Sequence, residues 1–177
     1  MRIVAGTLGG RQFNAPKGHR THPMSEKARG GMFNALGDID DLTFLDTFAG
    51  SGALGFEAIS RGAKSVVSID VDPGAVRTIK ENIDALGLQK QIKAVRANAS
   101  GWSDNNPDQL FDIVIAAPPY DDLQASLVQK MFRHTKPGGL FIIDWPPTPE
   151  LPEIEDSEFL VRKDYGDATL SFYRRPE

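Results

Sequence analysis

Apolar positions along the chain follow two rhythms. Short, mostly apolar blocks recur at Leu42–Leu45, Ser65–Asp70, Gln91–Arg96, Phe111–Ala116 and Leu140–Asp144. Glycine, proline or acidic residues bound them, as expected of strands buried in a parallel sheet. Between them, apolar residues recur at three- and four-residue spacing, the pattern of helices with one buried face. Ala53–Ile59 forms one such helix, ending near Arg61-Gly62. Pro73–Leu86 forms another, with Val76, Ile79, Ile83 and Leu86 as its stripe, Pro73 at its start and Gly87 as its stop. Leu123–His134 reads as a further helix with His134 facing solvent, followed by a turn at Lys136-Pro137-Gly138-Gly139. Phe159–Lys163 and Thr169–Tyr173 flank Gly166-Asp167 as a closing hairpin. Strands alternating with helices predict an α/β sandwich: a mostly parallel, seven-stranded sheet ending in an antiparallel hairpin.

The first 38 residues break this pattern. Ile3–Ala5 and Gln12–Ala15 flank a glycine-rich connection, predicting a small hairpin. Pro16–Pro23 is a loop, and Ser25 caps a helix to Leu36 that places Ala28, Met32, Phe33 and Leu36 on one face. Gly30-Gly31 weakens that helix by roughly 1 kcal/mol per glycine. The expected organisation is a basic extension over residues 1–38 and a main domain over 39–177.

Composition narrows the picture in three ways. There are no cysteines, which excludes disulfides and thiolate metal sites and suits the cytoplasm. No apolar run reaches membrane-spanning length, and the glycine-rich start does not read as a signal peptide. Charge is uneven. Arg2, Arg11, Lys17, Arg20, Lys27 and Arg29 face Glu26 alone in residues 1–34, a net +5 in a chain of net −4, so the remainder carries −9. A basic arm on an acidic body suggests contact with phosphates, and Arg2, Arg11, Arg20, His22, Lys27 and Arg29 are the expected contacts. His19 and His22 have no third ligand in view, so no metal site is expected.

The candidate chemistry centres on Asp46-Thr47-Phe48-Ala49-Gly50-Ser51-Gly52-Ala53-Leu54-Gly55: the end of a strand, a glycine turn and a helix start. Gly50-x-Gly52-x-x-Gly55, with Asp70 about 20 residues on, satisfies the dinucleotide fingerprint. Asp46 argues otherwise. A pyrophosphate at this turn meets a carboxylate of its own sign, whereas the ammonium group of S-adenosylmethionine (SAM) needs one. The reading is a SAM pocket, with NAD as the alternative and purely structural glycines as the bland case. Asp46, Phe48, Ala49, Gly50, Ser51 and Gly52 form the loop. Asp70 is placed for the ribose hydroxyls with Val71 beside it and Asp72 in reserve, and Asn98 and Ala99 for the adenine edge.

Taken together, these residues resemble the RsmD-like family, which methylates N2 of a guanine in small-subunit (16S) ribosomal RNA. The resemblance spans nearly the whole chain. It runs from Arg2-Ile3-Val4-Ala5-Gly6 and Gly10-Arg11, through His22-Pro23-Met24, Arg29 and Met32-Phe33-Asn34, to Leu45–Gly55, Pro118-Pro119-Tyr120 and Pro137-Gly138-Gly139. It implies a Rossmann-like class I methyltransferase sheet, SAM as donor, and 16S rRNA or a small-subunit assembly intermediate as partner for a monomeric protein. Ala117, Pro118, Pro119 and Tyr120 then correspond to the acceptor-base loop.

Ala117 departs from that family, which has Asp or Asn there. A guanine amine is a poor nucleophile because its lone pair is delocalised, and the family's side chain accepts its hydrogen bond. A methyl group accepts nothing. Loss of one polar transition-state contact commonly costs about 10²–10³ in rate. Reduced methyl transfer is expected, and three explanations stay open: an inactivating substitution made to trap a complex, a natural RNA- or ribosome-binding homologue that has lost activity, or replacement by a neighbour such as Asp121 or Asp122.

Overall fold

Alternate side chains of each central strand feed two separate cores. The computed structural model describes residues 1–18 and 23–177. Within it, β1 (Thr43–Asp46), β2 (Ser65–Asp70), β3 (Ile92–Arg96), β4 (Phe111–Ala116), β5 (Thr135–Trp145), β6 (Glu158–Asp164) and β7 (Thr169–Arg174) form one sheet. Its order is β3-β2-β1-β4-β5-β7-β6. The first five strands are parallel, while β7 runs antiparallel to both β5 and β6. This is the expected Rossmann-like α/β sandwich with its terminal hairpin.

Successive strand residues point to opposite faces, so each face collects every second one. Phe44, Ile113, Ile115 and Ile142 pack with α1 (Glu26–Leu36), α2 (Ala53–Ser60) and α3 (Pro73–Leu86) through Phe33, Phe56 and Ile79. Leu45, Val114, Phe141 and Ile143 pack with α4 (Ala99–Asn105) and α5 (Ala125–Phe132) through Trp102 and Met131. The strands read as unbroken apolar runs because both faces are covered.

Three local expectations need correction. Helix α4 was not anticipated: it is short and starts from the cap of Asn98, whose Oδ1 accepts from Ser100 N–H at 2.9 Å. The turn expected at Lys136–Gly139 is absorbed into β5, which pairs with β4 across a register shift between Phe111 and Ile113. His134 is not on a solvent-facing helix. It is fully buried beyond α5, at the amino end of β5. Its Nδ1–H donates to the Gln109 carbonyl at 2.7 Å, and Nε2 accepts from Ser103 Oγ at 2.8 Å. Burial lowers its pKa, so the ring is held neutral.

The N-terminal segment shares the main core. Arg2 and Gln12 form the bridge of a short hairpin, and Ile3, Phe13, Met32 and Phe33 lie in the same cluster as Phe44 and Phe56. Polar clamps fix it. Glu57, fully buried in α2, accepts from Val4 N–H at 2.9 Å, Ala5 N–H at 3.0 Å, Arg29 Nε at 3.2 Å and Arg61 Nε at 2.9 Å. Arg29 also donates to the Arg2 carbonyl at 2.6 Å. Asn82 of α3 exchanges two hydrogen bonds with the Asn14 backbone, at 3.1 and 2.8 Å. One glycine of the α1 pair also has a reason: a Cβ on Gly31 would lie 2.3 Å from the Tyr165 ring, so close packing demands glycine there, whereas a Cβ on Gly30 would only touch Val4 at 3.6 Å. Among the described residues no helix is long and apolar enough to cross a membrane.

Replacing Glu57 with Ala strands a buried guanidinium and two backbone donors. Removing one partner of a buried ion pair costs about 3–5 kcal/mol, and urea denaturation of Glu57→Ala is expected to show a loss of that size.

Candidate functional site

The sheet order changes direction between β1 and β4, and the loops leaving their carboxyl ends diverge there. Such a switch point opens a crevice in an α/β sheet. A pocket of about 430 Å³ occupies it. Thr47, Phe48 and Gly50 line it from the β1 side, and Asp70, Val71 and Asp72 from β2. Ala97, Asn98 and Ala99 follow β3, Ala117 and Pro119 follow β4, and Gln124 and Leu127 come from the start of α5. A wider groove of about 1020 Å³ adjoins it. Its walls include Met1, Ala15, Pro16 and Met24 of the N-terminal segment, Ala49, Ser51 and Leu54 of the glycine turn and α2, and Pro118, Tyr120, Asp144 and Asp167. Gly18, Phe48, Gly50, Ala117 and Pro119 belong to both, so pocket and groove meet between the loops after β1 and β4.

The turn after β1 is braced from β2. Gly50 N–H donates to Asp70 Oδ2 at 2.7 Å, and Asp72 N–H donates to Asp70 Oδ1 at 2.9 Å. Each carboxylate oxygen keeps a second acceptor position for a ligand hydroxyl. Gly50 and Gly52 have φ of 55° and 79°, left-handed values that glycine tolerates. Gly52 lies against Ile79 and Phe56, and Gly55 against Ser68 and Val66, so these two glycines serve helix–strand packing. Asp72 caps α3, accepting from Gly74 N–H at 3.2 Å and Ala75 N–H at 3.3 Å. Asn98 has spent its oxygen on the α4 cap and keeps its amide N–H groups for a ligand acceptor. Val71 is 67% exposed at the pocket edge, an apolar face open to a planar ring.

Asp46 lies below this surface, 1% exposed, with Thr47 and Phe48 above it forming part of the pocket wall. Neither carboxylate oxygen has a hydrogen-bond partner. Burial, with the Asp70 charge adding to it and the nearby Phe48 backbone N–H pulling the other way, pushes its pKa up to about 7. A desolvated, unpartnered carboxylate beneath a pocket stabilises a cation and repels a phosphate. The residues present therefore fit a ligand that carries positive charge and a nucleoside.

The basic arm is less uniform than its sequence. Arg29 is 1% exposed and bound to Glu57, so it braces the fold instead of meeting phosphate. The signal for this lay in Glu57, an acid in an otherwise apolar helix. Arg2 is exposed but paired with Glu26 at 3.0 Å. Arg11 and Lys27 are exposed, with no ion pair among the described residues. Arg20 and His22 lie outside the described residues. Asp144 and Asp167 escaped the sequence reading. Only Asp144 carried a signal, as an acid at the carboxyl end of a strand.

A family described as Conserved hypothetical protein 95 matches residues 1–174. The chain belongs to it: it is an RsmD-like methyltransferase. Among relatives of this family, YlbH of Bacillus subtilis is 29% identical over 182 residues, covering 99% of each chain. Ribosomal RNA small subunit methyltransferase D of Haemophilus influenzae is 27% identical, covering 98% of this chain and 93% of its own. The solved Escherichia coli protein yhhF superimposes with a TM-score of 0.85 at 27% identity, over 99% of this chain and 98% of that one. Membership of the RsmD-like family sets the NAD reading aside, and the unpartnered carboxylate of Asp46 opposes it independently. His134, the histidine available to an NAD enzyme as a general base, is buried at the opposite edge of the sheet.

Because the Asp46 pKa is raised in the folded state, the native protein holds a proton that the unfolded chain has released. The contribution of this group to stability is therefore fully present below about pH 4 and is lost as pH rises toward 7, by up to about 4 kcal/mol. Asp46→Asn is expected to flatten this decline and to be more stable than the wild type above pH 7, as thermal denaturation across pH will show.

Proposed function

We propose that this RsmD-like protein transfers a methyl group from SAM to the exocyclic N2 amine of a guanine in small-subunit ribosomal RNA. The observation that carries the reading is the junction of the two cavities. A nucleoside-sized pocket with a buried carboxylate beneath it opens, at Ala117–Pro119, into a groove wide enough for a base. The name of the Haemophilus influenzae relative, a ribosomal RNA small subunit methyltransferase, supports the substrate class.

The residues divide the work by position. Asp70 accepts ribose hydroxyls, Val71 covers one face of the adenine, and Asn98 and Ala99 meet its edge. Phe48, Ala49, Gly50, Ser51 and Gly52 shape the turn over the amino-acid portion, whose ammonium charge Asp46 compensates. SAM, when bound, supplies a methyl group activated by its sulfonium charge. The Pro118 carbonyl accepts a hydrogen bond from the amine, with Pro119 stiffening the loop behind it. The Tyr120 ring, on a residue 43% exposed, offers a stacking face to a base swung out of its helix. Residues 1–38 contribute the RNA arm through Arg2, Arg11 and Lys27, to a partner that is free 16S rRNA or an assembling small subunit. The protein acts as a cytoplasmic monomer.

Ala117 favours a second reading, an impaired RNA-binding homologue. Labelled SAM and undermethylated small-subunit RNA separate the two. Incorporation into N2-methylguanosine after nuclease digestion supports the enzyme, and RNA binding with no incorporation supports the binder. Absence of SAM binding at millimolar ligand overturns the enzyme reading.

Phosphate contacts are tested singly. Arg11→Ala and Lys27→Ala are each expected to weaken RNA binding and reduce its salt dependence by about one unit of slope. Unchanged slopes in both would remove the arm as the RNA site.

A further inference from the structure

We infer that Asp144 is a catalytic residue of this site: its carboxylate hydrogen-bonds the acceptor amine and takes the proton that the amine releases. The inference rests on the reading of the site as an amine methyltransferase and names a group that the reading lacks.

The backbone places it. Ala116 pairs with Ile143 in adjacent parallel strands about 4.8 Å apart; Asp144 follows Ile143 in β5, and Ala117 follows Ala116 as the first residue of the loop after β4. Alternation along β5 turns Asp144 away from the face of Ile143, toward the groove that Ala117 also lines. Asp144 lines the groove beside Ala117, Pro118 and Tyr120. It is 7% exposed, so its charge is little screened by water. Asp121 and Asp122, the other acids near the loop, are both exposed.

Its hydrogen bonds leave a position open. Tyr120 Oη donates to Asp144 Oδ1 at 2.5 Å, which orients the carboxylate and keeps the phenol protonated. No hydrogen bond to Oδ2 occurs among the described residues. Tyr120 faces Asp144 from the loop after β4, and Asp167 faces it from the β6–β7 turn. Arg29 reaches the same groove but is held by Glu57. Burial and the Asp167 charge push the Asp144 pKa up to about 6, against the opposing pull of the Tyr120 hydrogen bond. The group is thus ionised at neutral pH and a better proton acceptor than an ordinary carboxylate.

The step balances. The amine lone pair forms the nitrogen–carbon bond as the carbon–sulfur bond breaks, and that bond's electron pair stays on sulfur. The nitrogen becomes cationic and passes one proton to Asp144 Oδ2, leaving a neutral methylated amine. Asp144 then returns the proton to water.

The test compares the wild type with D144A, D144N and A117D/D144A. One readout is binding of guanosine 5′-monophosphate against inosine 5′-monophosphate, which differ only in the exocyclic amine. The other is labelled methyl transfer with SAM affinity measured alongside. The wild type should bind the guanosine nucleotide several-fold tighter, D144A should lose that preference, and D144N, which keeps an acceptor oxygen, should retain it. D144A should lose at least about 10²-fold in rate with SAM affinity unchanged within about threefold. D144N should lose about tenfold and also lose the wild type's decline in rate below pH 6. A117D/D144A should recover at least about tenfold over D144A. D144A within threefold of the wild-type rate, or with its nucleotide preference intact, overturns the inference. A wild type that transfers no methyl group to guanine overturns the functional reading instead, and the nucleotide comparison then decides Asp144 by itself.

Discussion

The buried carboxylate of Glu57 is the fixed point of this molecule. It sits in the helix that follows the glycine turn and receives donors from the N-terminal hairpin, from α1 and from its own helix. A charge with no exposure is tolerated only when its lone pairs are filled, and here four donors fill them. The consequence reaches the site. The N-terminal segment is held against α2, and its residues Met1, Ala15 and Met24 become one wall of the groove. A segment that reads as an attached arm is therefore part of the cavity it serves.

A second carboxylate, Asp70, does for the ligand pocket what Glu57 does for the extension. Its bond to Gly50 N–H ties the turn after β1 to the end of β2 and sets the shape of the crevice. Three acids thus stand at the carboxyl edge of the sheet in different electrostatic conditions. Asp70 is hydrogen-bonded by backbone, Asp46 is buried without a partner, and Asp144 is shared with a tyrosine. Burial raises the pKa of the latter two. Negative charge gathers where a cationic donor and a developing ammonium are expected, while of the basic arm Arg11 and Lys27 stay exposed and outside any ion pair among the described residues.

Much of this was legible beforehand, for identifiable reasons. β2, β4 and the Ser25-capped α1 have the bounds that their apolar blocks and cap predict, because strong local signals agree with tertiary packing there. Helix α4 escaped because it is short and has little apolar periodicity. Its stability comes from a cap and from Trp102 packing on His134. His134 itself was misjudged as exposed because burial of an imidazole depends on partners far along the chain, Gln109 and Ser103. Arg29 was misjudged in the same way, since a basic residue among basic residues reads as surface until its acid is found.

The sequence alone determined the fold class, the glycine turn with its acids and the family, because each rests on local spacing or on motifs in fixed order. Only the tertiary structure decided which charges face solvent and which are spent inside, that Asp46 lies beneath the pocket wall, and that Asp144 comes to stand beside Ala117. Those facts follow from strand register and from packing between residues distant in the chain, and no local pattern encodes either.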